Sequence, residues 1–126
     1  MADALTLPSN PETEAFWQAC RENRFILRHC DSCGRAHWYP RTICPHCFSD
    51  RTVWRDSAGQ GRIYSFSIMR RVPEPYAIAY VTLAEGPTMM TRIVDCDFAA
   101  IRIGQPVQVA FRDLAEGRTL PVFRPT

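Results

Sequence analysis

The sequence predicts a mainly β protein: an N-terminal helix, a four-cysteine metal-binding ribbon and a small five-stranded barrel. Three observations carry this. Four of the six cysteines stand in two CxxC pairs inside CDSCGRAHWYPRTICPHC, residues 30–47. Beyond Gly61 the chain breaks into five short segments rich in β-branched and aromatic residues. Ahead of both regions lies one helix-start signal, Asn10-Pro11-Glu12. The expected organisation is a tail and helix over 1–24, a ribbon over 25–58 and a barrel over 59–126.

In the first region Asn10 can cap and Pro11 suits the first helical position, so the helix is expected from there to about Arg21–Asn23. Residues 1–9 read as a loose tail. Phe16, Trp17 and Cys20 share one face of the helix, and the other faces are polar. Phe25–His29 reads as a strand entering the first cysteine pair, and Thr52–Arg55 as a strand leaving the second. The two are expected to pair across the cysteine loops. Ser57-Ala58-Gly59-Gln60-Gly61 is a turn and marks the boundary.

The barrel strands are expected at Arg62–Val72, Tyr76–Ala84, Thr88–Cys96, Pro106–Asp113 and Arg118–Phe123. A short irregular connection, Asp97–Ile103, follows the third. Five short strands with that one connection suit a Greek-key barrel of the OB type, whereas an open meander would leave edges unpaired.

The cysteine spacing points to a tetrahedral metal. Each CxxC turn supplies two thiolates from one tight loop, and two such loops on paired strands complete a four-sulfur cage. Cys30, Cys33, Cys44 and Cys47 are the expected ligands of one Zn2+; iron in the same tetrathiolate geometry stays open. Gly34 follows Cys33 where such a loop tends to need a positive φ, and Pro45 stiffens the second turn. Two redox CxxC motifs would each want a helix N-terminus to depress a thiol pKa, and no helix pattern follows either pair. With four cysteines filling the site, His29, His37 and His46 read as non-ligands. Cys20 and Cys96 read as small buried apolar residues.

Composition narrows the function. The chain has 126 residues, 46% hydrophobic and 22% charged, with a formal net charge of +2. No apolar run approaches the roughly 18 residues of a membrane span. The N-terminus lacks the basic start and apolar stretch of a secretory signal, so no membrane role and a cytoplasmic location are expected, with reduced thiols. All fifteen basic residues are Arg; ten of them lie in residues 1–71 against seven acids. Residues 72–126, most of the barrel, therefore carry five Arg against six acids, which counts against a nucleic-acid-binding module. Neither GxSxG, a phosphate-cradling glycine loop nor HExxH occurs, which counts against an independent thioesterase or redox enzyme.

In this order the motifs resemble the acyl-CoA-associated family that joins a rubredoxin-like zinc ribbon to an OB fold. The matching pieces are the helix with Phe16-Trp17, Cys30-Asp31-Ser32-Cys33-Gly34, Tyr39 to Cys47, and Gly59-Gln60-Gly61 with Ile63-Tyr64-Ser65-Phe66. Pro75-Tyr76, Leu83 to Pro87, Ile103 to Val107 and Pro121 to Pro125 complete them, so the resemblance runs from about residue 12 to the end. One departure is Tyr39, where the family more often has the first proline of a Pro-Pro-Arg run.

The resemblance implies a non-catalytic accessory subunit. Its expected partner is a thiolase-superfamily enzyme (a lipid-transfer-type thiolase or retro-aldolase) or a hot-dog-fold hydratase, in steroid or fatty-acyl side-chain breakdown. It also implies that ribbon and helix lie against the partner and help form the path for acyl-CoA, a shared ligand. Arg grips phosphate with charge-assisted bonds, so Arg41, beside Tyr39, and Arg70 with Arg71 are candidates for the CoA phosphates. If their rings are exposed, Phe16, Trp17, Trp38 and Tyr39 would form an apolar patch that meets a partner or a second copy of the chain; the alternative is that Phe16 and Trp17 pack on the barrel as core.

Overall fold

The computed structural model describes residues 10–114 and 118–126; the expected tail at 1–9 lies outside them. One helix, α1 (Glu14–Arg21), precedes eight strands: β1 (Ile26–Cys30), β2 (Ala36–His37), β3 (Thr52–Asp56), β4 (Gln60–Met69), β5 (Tyr76–Leu83), β6 (Thr88–Ile93), β7 (Pro106–Asp113) and β8 (Thr119–Pro125). The chain divides into two compact units. One takes the described residues of Met1–Ser57 and Phe111–Pro121, the other Ala58–Ala110 and Val122–Thr126.

The helix starts one turn later than the sequence indicates. The Asn10 side-chain oxygen accepts the backbone N–H groups of Glu12 and Thr13, at 2.9 and 3.2 Å, while the Thr13 hydroxyl accepts the Asn10 N–H. That reciprocal cap closes a turn over residues 11–13, and the α-helix begins at Glu14. Its C-terminus is a Schellman motif with Asn23 at φ 59°. Asn23 donates to the Cys20 carbonyl and Arg24 to the Ala19 carbonyl, at 3.0 and 2.8 Å.

The face that α1 buries is Phe16, Ala19 and Cys20, an i, i+3, i+4 set. Phe16 is 1% exposed. Its ring lies 4.9 Å from that of Trp38, 5.0 Å from Trp17 and 5.9 Å from Phe25. This corrects its place among the exposed interface candidates: Phe25 and Trp38 give the ribbon an aromatic core into which Phe16 inserts. Burying such a ring contributes about 1.5–3 kcal/mol.

In the ribbon, β1 is the central strand of a three-stranded sheet in the order β2-β1-β3. Its antiparallel register on β3 runs from Ile26 opposite Asp56 to Cys30 opposite Thr52, so β1 and β3 pair as the sequence indicates. With two residues, β2 is too short to carry a periodic signal.

The remaining five strands close into a barrel in the order β4-β5-β6-β8-β7. β4, β5 and β6 form an antiparallel meander, whereas β8 meets β6 in parallel, with Ile93 opposite Phe123. This is the Greek-key connectivity expected of an OB barrel. A 3-10 turn, Phe98–Ala100, capped by the Asp97 carboxylate, carries the chain from β6 towards β7. Alternation sorts the faces: Ala77, Ala79, Val81 and Leu83 of β5 and Met89, Thr91 and Ile93 of β6 are buried. Gly61 is required by close approach, because a Cβ there would stand 2.7 Å from the Thr82 carbonyl oxygen. Two strands end three residues earlier than the sequence indicates. β4 ends at Met69 rather than Val72. β6 ends at Ile93 rather than Cys96, just ahead of Asp95 at φ 55°.

Candidate metal centre

Two similar loops bring the four thiols together. In the first, Gly34, at φ 77°, donates its N–H to the Cys30 carbonyl at 2.8 Å. In the second, Phe48, at φ 64°, donates to the Cys44 carbonyl at 2.9 Å. Each loop also aims a backbone N–H at a sulfur: Cys33 at Cys30 Sγ, 3.5 Å, and His46 at Cys44 Sγ, 3.4 Å. The Ser32 and Ser49 hydroxyls join the loops at 2.9 Å, and Asp31 N–H donates to the Arg51 carbonyl at 2.8 Å.

The sulfurs of Cys30, Cys33, Cys44 and Cys47 all lie within 4.8 Å of one another. Cys30 and Cys47 are 3.6 Å apart, Cys33 and Cys44 3.8 Å. Metal–sulfur bonds of about 2.3 Å in a tetrahedron set sulfurs about 3.8 Å apart, so the cluster has the size and donor set for one tetrahedral metal ion. The backbone N–H of Cys33, with those of Ser32 and the neighbouring thiols, draws the Cys30 thiol down to about 6 against burial. Cys47 moves up to about 12 despite the Ser49 backbone bond, because burial and the adjacent thiols favour its protonated form. A bound cation would displace the protons that these thiols carry.

The other cysteines have different surroundings. Cys20 is fully buried in α1 and burial pushes its thiol to about 12; Cys96 is half-buried and also raised, chiefly by burial. His37 is 2% exposed, and its Nε2 lies 3.2 Å from the Arg41 carbonyl.

The candidate ligand and interface residues fall as follows. Arg41 is exposed, 5.1 Å from the Tyr39 ring, with its guanidinium 3.9 Å from the Glu12 carboxylate. Arg70 and Arg71 are exposed just beyond β4. Trp17, Trp38 and Tyr39 are half-buried, the last two with ring centroids 5.4 Å apart. Two features escape the sequence reading. Phe48 is 79% exposed at its positive φ, and only the matching position of Gly34 after the first CxxC hints at that conformation. The Glu12 carboxylate accepts the Thr42 N–H at 2.7 Å, tying the start of α1 to the loop between the cysteine pairs.

A four-thiol ribbon joined to a five-stranded Greek-key barrel defines the zinc-ribbon and OB-fold class. Residues 17–53 match the family model described as the ChsH2 rubredoxin-like zinc ribbon domain, and residues 54–112 that of the ChsH2 C-terminal OB-fold domain. The chain belongs to this ChsH2 (DUF35) family. It is 35% identical over 94 residues to a DUF35 domain-containing scaffold protein of Methanothermobacter thermautotrophicus, covering 69% of this chain and 71% of that one. A probable enoyl-CoA hydratase alpha subunit of Thermomonospora curvata is 33% identical over 124 residues, 94% of this chain; the match spans only 39% of that subunit's length. Among solved structures, one described as the Ltp2-ChsH2(DUF35) aldolase superposes with a TM-score of 0.86 at 30% identity, covering 95% of this chain and 98% of that chain.

Proposed function

We propose that this protein is a non-catalytic accessory subunit that docks on an acyl-CoA enzyme and completes its substrate site. The observation that carries the reading is the near full-length match to the ChsH2(DUF35) chain described with an aldolase, at a TM-score of 0.86. Relatives described as a hydratase alpha subunit and as scaffold proteins support the same role. The partner is a thiolase-superfamily enzyme of the lipid-transfer or retro-aldolase type, or a hydratase, acting on steroid or fatty-acyl side chains. The chemistry on the chain agrees. A nucleophile needs a lowered pKa or a neighbouring base, and of the two cysteines outside the metal cluster Cys20 is buried with its thiol pushed to about 12 and Cys96 is also raised.

In this reading Cys30, Cys33, Cys44 and Cys47 hold one structural Zn2+, which fixes the two loops and orders the ribbon. Trp17, Trp38 and Tyr39 contribute to the partner surface. Arg41, Arg70 and Arg71 offer charge-assisted bonds to CoA phosphates. A cytoplasmic location, where thiols stay reduced, suits a four-thiolate site; among the described residues no helix is long and apolar enough to cross a membrane. The test is affinity capture of the tagged protein from its own host, followed by identification of the bound subunit. A thiolase-like or hydratase-like enzyme is the expected partner, and recovery of nucleic acid alone would overturn the reading.

A further inference from the structure

β4 is ten residues long but is covered on both sides only at its start. Gln60, Gly61 and Arg62 pair with β7, and Ile63 is tied by backbone hydrogen bonds to Gly104 and Gln105. From Ser65 to Met69 the strand pairs with β5, while Tyr64 sits at an irregularity in that register. Among the described residues no backbone hydrogen bond occupies the other edge of Tyr64–Met69.

Proteins usually protect such an edge with charge, proline or a very short strand. The segment, Tyr-Ser-Phe-Ser-Ile-Met, has no charge and no proline. Tyr64 is 67% exposed, Phe66 36% and Met69 38%. Cations bracket it. Exposed Arg62 precedes it, with its guanidinium resting on the Gly104 carbonyl at 2.9 Å, and exposed Arg70 and Arg71 follow. None of the three forms an ion pair among the described residues.

We propose that this edge receives an extended strand from another protein, uncharged over about six residues and acidic at both ends. Backbone hydrogen bonds to alternate residues of Tyr64–Met69 would supply the pairing, as in other strand-addition complexes. Arg62 at one end and Arg70 with Arg71 at the other would fix its register. Charge argues against a second copy as the occupant. Antiparallel self-pairing over Tyr64–Met69 brings Arg62 of one copy against Arg70 or Arg71 of the other, and parallel self-pairing stacks like on like. The inference does not rest on the acyl-CoA enzyme as partner, and it gives Arg70 and Arg71 an acidic strand in place of the CoA phosphates as their ligand.

The test is amide hydrogen exchange and chemical-shift mapping on the full chain. The probes are two synthetic decapeptides with a Thr-Val-Thr-Val-Thr-Val centre, one flanked by Glu-Asp pairs and the other by Lys pairs. In the free chain, alternate amides of 64–69 should exchange rapidly. The acidic peptide should protect them and bind at least tenfold more tightly than the basic one, and R70E/R71E should reverse that preference with shifts elsewhere unchanged. Uniformly slow exchange in the free chain, equal binding of the two peptides, no shift at β4, or a dimer in sedimentation paired through this edge would each overturn the proposal. None of those results bears on capture of the acyl-CoA enzyme.

Discussion

Gly34 and Phe48 occupy the same place in the two cysteine loops, yet only one is glycine. Each follows the second cysteine of its pair, each has a positive φ (77° and 64°), and each donates its N–H to the carbonyl of the first cysteine. A left-handed conformation costs an L-residue roughly 1–2 kcal/mol. Gly34→Ala should therefore destabilise the ribbon by about 1 kcal/mol, although a Cβ there meets nothing within 4 Å. Phe48→Gly should be within about 0.5 kcal/mol of the parent, because relief of strain offsets the greater freedom of the unfolded chain. Denaturant unfolding of the metal-loaded protein checks both. A larger loss at Phe48 than at Gly34 would show that the Phe48 ring makes contacts that stabilise the ribbon.

Phe16→Ala should lower the stability of the isolated chain by about 3–5 kcal/mol, as expected for loss of a buried aromatic ring. Trp17→Ala and Tyr39→Ala, at half-buried positions, should cost less stability and weaken partner binding more. Thermal melts of the isolated chain and affinity of the complex, measured on the same variants, separate the two effects. Equal stability losses at all three positions would argue against the division.

The contact between Glu12 and Thr42 should depend on pH. The Thr42 backbone N–H, helped by Arg41 and Arg28, holds the Glu12 carboxyl below its ordinary value of 4.5. A group whose pKa is depressed on folding adds stability that is present above the unfolded value and is lost as pH falls through the folded one. The stability difference between the parent and Glu12→Gln should thus be constant above about pH 5 and shrink below 4.5. A difference that grew on acidification would contradict this.

Much of the fold is legible in local patterns. The paired CxxC spacing locates the cluster, and the alternation in Tyr76–Leu83 locates a barrel strand, because both signals are carried by neighbouring residues. What could not be read depends on distant ones. Phe16 lies on the apolar face of the helix, but what that face meets is not legible until Phe25 and Trp38 are brought around it. Asn10 looks like a helix cap, but Thr13 diverts it into a preceding turn. β2 exists only because Arg28 and His29 pair with it. The conformation of Phe48 follows from the loop it closes, not from its own preference.

One metal ion per chain is expected, with zinc by elemental analysis. Replacing any one of Cys30, Cys33, Cys44 or Cys47 by Ser should release it and loosen residues 25–55, as should a strong chelator. The β5 amides of the barrel should remain protected from exchange. A fully ordered, metal-free ribbon would contradict the structural role, and a red, iron-containing preparation would reassign the ion.

The most direct measurement is acyl-CoA turnover by the purified chain alone, by its captured partner alone and by the two together. The expected result is no turnover by this chain, with partner activity that rises when the chain is added. Turnover by the isolated chain, or partner activity indifferent to it, would contradict the assignment as an accessory subunit.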